Sequence, residues 1–146
     1  MPTTTPFPPS WFLTSGALYF DESASASVAA TLLGQVVLSF RVPDRRVAIV
    51  LDVGIDAGQL TGWWNGQFYL ELNGVRDPAF TLIRGMISRF VDPVPCYRIA
   101  KPGTLVRVLV DNLSATFSSQ YAARVRGFYV DENTALEWDA PNDLRG

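Results

Sequence analysis

Residues 101–130 read KPGTLVRVLVDNLSATFSSQYAARVRGFYV, and their alternation sets the fold class. Val106, Val108 and Val110 alternate with Arg107, Leu109 and Asp111. Ala123, Val125, Gly127 and Tyr129 alternate with Arg124, Arg126 and Phe128. A period of two places alternate residues on opposite faces of a strand. One face of each run is apolar throughout, so it lines a core. The other mixes arginine with leucine and phenylalanine, which predicts that something besides water covers part of it.

Strand signals continue outward from this stretch. Pro102-Gly103 is a turn into 104–111, and 121–130 follows a polar loop. Upstream, VVLSFRV (36–42) and RVAIVLDVGI (46–55) meet across Pro43, Asp44 and Arg45, a turn composition. In the second run Val47, Ile49, Leu51, Val53 and Ile55 are expected to share one face. Asn65-Gly66 fits a type I′ hairpin between Trp63-Trp64 and QFYLEL, and Asn73-Gly74 ends that strand. FTLIRGMISRFV (80–91) is an apolar run in which Gly85 marks a bulge or bend. PVPCYRI (93–99) carries prolines suited to an edge or entry position. Residues 21–34, DESASASVAATLLG, admit a short helix capped by Asp21 or Ser23, but the preferred reading is a loop leading into a short strand.

The expected class is all-β, an antiparallel jelly-roll sandwich or barrel of about eight strands, occupying residues 17–130. Residues 1–16 carry Pro2, Pro6, Pro8 and Pro9 among threonines and serines, which favours an extended arm. Phe7, Trp11 and Phe12 give that arm something to bury. Residues 131–146 form a polar, acidic tail in which Leu136 and Trp138 are the anchors. With 146 residues the chain suits one domain, which buries roughly 70% of its unfolded surface without disulfide or metal.

Composition excludes several chemistries. Histidine is absent, which removes Ser-His-Asp and Cys-His nucleophilic sites and any histidine metal centre. The one cysteine, Cys96, makes neither an intrachain bridge nor a zinc site and is expected to be a buried thiol. A net charge of −2 argues against direct nucleic-acid binding through a general basic surface. The N-terminus lacks the basic and apolar regions of a secretion signal, and no stretch approaches the ~20 apolar residues of a membrane span. The chain is therefore expected to be made in a cytoplasm. Its cations are eleven arginines and Lys101; guanidinium suits interfaces, and coding bias explains the same count.

Carboxylates are the remaining reactive groups. Asp52 and Asp56 have the even spacing of one strand face, and Glu71, Asp77, Asp92 and Asp111 complete the candidates for a paired-carboxylate glycosidase site. Most adjoin turn residues, where aspartate binds backbone amides instead. No catalytic residue, metal site or cofactor is expected. Asn112-Leu113-Ser114 matches a glycosylation acceptor and is read as a turn. Trp63, Trp64 and Asn65 form the most site-like cluster. Adjacent tryptophans in a strand point to opposite faces, so either one enters the core and the other offers a platform for a sugar or a protein, or both serve core or edge packing.

The runs RVPDRRVAIVLDVGIDAG, FYLELNG and YRIAKPGTLVRVLVDNLSATFSSQYAARVRGFYV resemble small single-jelly-roll structural proteins of tailed bacteriophages, including capsid decoration (cement) proteins. The resemblance covers roughly residues 35–130, and the drawn-out ends match that group in kind. It implies a virion protein, commonly a homotrimer on local threefold positions of a shell, with a major capsid protein or another virion protein as partner and no catalytic residues. On this expectation Phe7, Trp11, Phe12, Leu136 and Trp138 anchor the arms, and Arg107, Arg124 and Arg126 pair with carboxylates across subunit interfaces. The alternative is a carbohydrate-binding β-sandwich using Trp63 or Trp64.

Overall fold

The computed structural model describes residues 16–57, 66–78, 83–84 and 93–133. Among these, nine strands run β1 (Leu18–Val28), β2 (Gln35–Arg41), β3 (Arg46–Ala57), β4 (Gly66–Leu72), β5 (Val75–Arg76), β6 (Ile83–Arg84), β7 (Val94–Ala100), β8 (Leu105–Asn112) and β9 (Ser119–Asp131). They form two antiparallel sheets. The first has the order β1-β9-β3-β7 and the second β2-β8-β4-β5, with β6 also on β4.

β5 and β6 are two pieces of one edge strand. β8 covers the whole of one side of β4, so both pieces lie on the other. Leu72 pairs with Val75 and Glu71 with Arg76, whereas Phe68 pairs with Ile83 and Gln67 with Arg84. Counted as one strand, β5–β6 completes an eight-strand path that switches sheets at every connection but the β4–β5 turn. This is a jelly-roll sandwich. The turn at Pro43–Arg45 therefore carries the chain from one sheet to the other instead of making a hairpin; Arg46 N–H donates to Pro43 O at 3.2 Å. The hairpin lies at Asn73-Gly74, whose φ values of 50° and 82° meet the type I′ requirement. Gly66 makes no such turn. It opens β4 opposite Asn112, and a Cβ there would sit 2.8 Å from the Tyr121 ring.

The core lies between the sheets. β8 contributes Val106, Val108 and Val110, and β9 contributes Tyr121, Ala123 and Val125, all fully buried. The alternation read in 101–130 is therefore realised. Phe20 stacks on Tyr129 with ring centroids 4.4 Å apart, over Gly127. Gly127 is a close-approach glycine: a Cβ would overlap the Ile49 carbonyl oxygen and touch the Phe20 ring.

The expectation that Val47, Ile49, Leu51, Val53 and Ile55 share a face is overturned. β3 pairs Val50 with Gly127 and Asp52 with Arg126, leaving Leu51 as an extra residue. Such a bulge puts two consecutive residues on one side and reverses the phase beyond it. Ala48 and Val50 face the core before it, and Val53 and Ile55 after it. Ile49 and Leu51 are left outside, where they pack with Val130 and Ala17. β2 uses the same device, with Val37 extra between Val36 and Leu38, so that Val37 and Leu38 are both buried.

Residues 21–34 also differ from their reading. Positions 18–28 are a strand that pairs residue for residue with β9, from Leu18 opposite Tyr129 to Val28 opposite Ser119. Serine and alanine have weak strand preference of their own; the long partner imposes the conformation.

Candidate interaction surface

Of the residues singled out from sequence, Phe7, Trp11, Phe12, Trp63, Trp64, Asn65, Asp92, Leu136 and Trp138 lie outside the described residues, as do Gly85 and most of the 80–91 run. Arg107, Arg124 and Arg126 are described, and all three stand on outer sheet faces. Their acids come from this same chain, not from a neighbour. Arg124 of β9 binds Asp21 of β1, with Nε donating to Oδ1 at 2.8 Å. Arg126 binds Asp52 of β3 through two bonds, Nε to Oδ1 at 2.9 Å and Nη2 to Oδ2 at 2.8 Å. Arg107 of β8 grips Oε1 of Glu71 on β4, with Nε at 2.8 Å. The cause is register: Asp52 lies directly opposite Arg126, and Glu71 directly opposite Arg107.

The first sheet thus presents a row of two acid–arginine pairs, Asp21–Arg124 and Arg126–Asp52, across β1, β9 and β3. The Arg124 hydrogen bond holds the Asp21 carboxyl below the usual carboxylate range. Asp52 holds the Arg126 guanidinium above its ordinary range. Tyr19 and Phe128 meet edge to face beside this row, 5.8 Å between centroids. Each charge is matched locally, so the row offers little net field to a ligand.

On the second sheet's outer face Gln67, Tyr69, Glu71, Leu109 and Asp111 are buried. Tyr69 O–H donates to Asp111 Oδ2 at 2.6 Å, and Gly34 N–H donates to Asp111 Oδ1 at 2.6 Å. The Arg76 guanidinium lies 3.8 Å from the Tyr69 ring centre. Burial, then the bond to Asp111, pushes the Tyr69 phenol up. Four of the carboxylates considered for acid–base work are engaged structurally: Asp52, Glu71 and Asp77 by guanidinium, and Asp111 by a phenol and an amide. Among the described residues no group of three or more His, Cys, Asp or Glu is placed to hold a metal, and no helix is long and apolar enough to cross a membrane.

A feature missed in the sequence lies at the end of the sandwich where β1 leads to β2 and β8 to β9. The loops at 29–34 and 113–118 are tied together. Thr31 N–H donates to Ser114 O at 3.0 Å, and Asn112 N–H to Leu32 O at 2.9 Å. The Asn112 side chain is fully buried; its Nδ2 reaches Val28 O at 3.1 Å and Phe117 O at 2.9 Å, and its Oδ1 accepts Ser114 N–H at 3.0 Å. Ser114 Oγ accepts Phe117 N–H at 3.0 Å, so the Asn-Leu-Ser motif is a turn, as read. On this pinned scaffold Leu32, Leu33, Leu113 and Phe117 remain between 44% and 59% exposed. Neither loop contains a charged residue. The signal available in sequence was that neutrality; the pairing of two loops about 80 residues apart is a product of topology.

No model of a known protein family matches the chain, and no curated protein is similar to it.

Proposed function

We propose that the chain is a virion structural protein, a capsid decoration protein that acts through contacts between copies and with a capsid or other virion protein, without catalysis. The reading follows the resemblance to small phage jelly-roll proteins and makes the working unit a homotrimer. The observation that carries it is the neutral apolar shoulder formed by Leu32, Leu33, Leu113 and Phe117. Those side chains sit on loops already ordered by hydrogen bonds, so a partner gains apolar burial with little ordering cost. Isolated exposed apolar residues are ordinary; a cluster of four on a rigid scaffold has the make-up of a contact surface.

The test is assembly. Shells lacking the protein should bind it on incubation and resist heat or chelator better for it. Leu33→Asp and Phe117→Asp should fold normally yet fail to bind shells. A full chain that sediments as a monomer at micromolar concentration and leaves shells unbound would refute the reading.

A further inference from the structure

The sandwich has four sheet edges among the described residues, and three are guarded. β7 is preceded by Pro93, contains Pro95, and slips register between Arg98 and Pro95, where Tyr97 has a φ of 48°. β5–β6 is broken into two short pieces. β2 is bulged at Val37. Prolines, bulges and short pieces are the usual means of keeping an edge from pairing with another chain.

β1 has none of them. It runs from Leu18 to Val28 with no proline, no lysine and no slip against β9. Among the described residues nothing pairs with its other side. Asp21, Glu22, Ser23, Ser25 and Ser27 are all exposed, so both faces of the strand reach solvent at this edge.

We propose that this edge is a twofold interface between two copies of the chain, in which β1 pairs antiparallel with β1 of the second copy about an axis at Ala24. The charges exclude an axis at the acids themselves. Both acids lie in the first half of the strand, at Asp21 and Glu22. Centring on either would set like charges against each other. Centring on Ala24 puts Asp21 opposite Ser27 and Glu22 opposite Ala26, with Phe20 opposite Val28, so every acid meets a small neutral residue. Side chains keep their faces, because the pairing joins residues of the same parity. The ends of the strand agree. Leu18, 52% exposed, passes beyond Val28 of the second copy and comes beside its 29–34 loop, where Leu32 and Leu33 stand exposed. The product is a continuous sheet of eight strands, a form of β-strand addition. This contact touches the loop shoulder at Leu32 and Leu33 but leaves Leu113 and Phe117 free for another partner, and combined with the proposed homotrimer it joins two trimers into six chains.

The test uses the full chain and two kinds of variant. Residues directly opposite in an antiparallel pair lie roughly 4.5–5.5 Å apart at Cα, within disulfide reach. Ala24→Cys should therefore give a covalent dimer under mild oxidation, and Ser39→Cys, on the exposed side of β2, should not. The native thiol of Cys96 is buried and does not compete. Sedimentation of the unmodified chain should give an even multiple of the monomer mass, and Ser23→Lys/Ser25→Lys should halve it. An odd multiple such as a trimer, unchanged by the lysines and with no Ala24→Cys cross-link, overturns the β1 interface and leaves the decoration reading intact. A mass that falls with Phe117→Asp alone does the same. If the lysine variant misfolds, the cysteine cross-link decides.

Discussion

Arg98 and Asp77 lock one open side of the sandwich. Arg98 lies on the core-facing side of β7, opposite Val50 in the first sheet. Asp77 lies just past β5 in the second, and its side chain is only 4% exposed. The guanidinium makes a two-bond clasp, Nε to Oδ2 and Nη2 to Oδ1, the latter at 3.0 Å. Its Nη1 also donates to Cys96 O at 2.7 Å. The pair is the one guanidinium–carboxylate bridge among the described residues that joins the two sheets.

Arg98→Met should be costly, because it removes the guanidinium that clasps the buried Asp77 carboxylate. Loss of one partner of a buried pair costs about 3–5 kcal/mol; Arg98 is partly exposed, so about 2–3 kcal/mol is expected. Removing both partners together as Arg98→Met/Asp77→Leu should recover part of that loss. Urea unfolding of the two variants measures both, and equal losses would mean that the clasp contributes nothing beyond Arg98 packing.

Gly127→Ala should destabilise the fold by about 3 kcal/mol or more, at the upper end of overpacking costs. The obstacle is the backbone carbonyl of Ile49 on the paired strand, which no side-chain rotation relieves. Gly74→Ala places its Cβ in open space but at a φ of 82°, so its cost should be smaller, about 1 kcal/mol. A thermal or urea midpoint for each variant gives the order.

Cys96 should be silent to thiol reagents in the native state. Burial pushes its thiol up to about 12, and its sulfur faces Val50 O at 3.8 Å. A disulfide-exchange reagent at mildly alkaline pH should react only as fast as the chain opens, and at once in denaturant.

Asp21 should add an acid-sensitive increment to stability. Its folded carboxyl titrates below its unfolded value of 3.8. The contribution is therefore present above the unfolded value and lost as pH falls through the folded one. Asp21→Asn should flatten part of the decline in urea midpoint between about pH 5 and about pH 2 and leave the Arg126–Asp52 pair unaffected.

Asn112→Ala should loosen the loop shoulder. It removes bonds to Val28, Phe117 and Ser114 at a fully buried position, a loss of about 2–3 kcal/mol by the cost of stranding buried backbone groups. Amide exchange should accelerate at Ser114 and Phe117 before it does in β8.

The sequence showed the fold class because β8 and β9 mark their inner and outer faces with residues of different polarity. It hid the phase reversal in β3 because RVAIVLDVGI offers apolar residues to both faces around Leu51, and only the register with β9 reveals the extra one. It hid β1 because Ser-Ala-Ser-Ala carries neither propensity nor contrast. The arginines were recognisable as paired groups, but their acids lie 36 to 103 residues away in sequence, so topology supplied the partners within the chain. The apolar shoulder was invisible for the same reason: two unremarkable neutral loops acquire a joint surface only when Asn112 bridges them.

The extra residue at Leu51 has a bearing on how this chain tolerates change in length. Removing it would leave Val50 opposite Gly127 and Asp52 opposite Arg126 in unbroken register, with Val53 and Ile55 still facing the core, whereas a one-residue deletion elsewhere in β3 would turn core residues outward. The neighbouring slip in β7 is seated at the same level. The two irregularities mark the level at which β3 changes parity, so a change of one residue in β3 should be accommodated at Leu51 and not on either side of it.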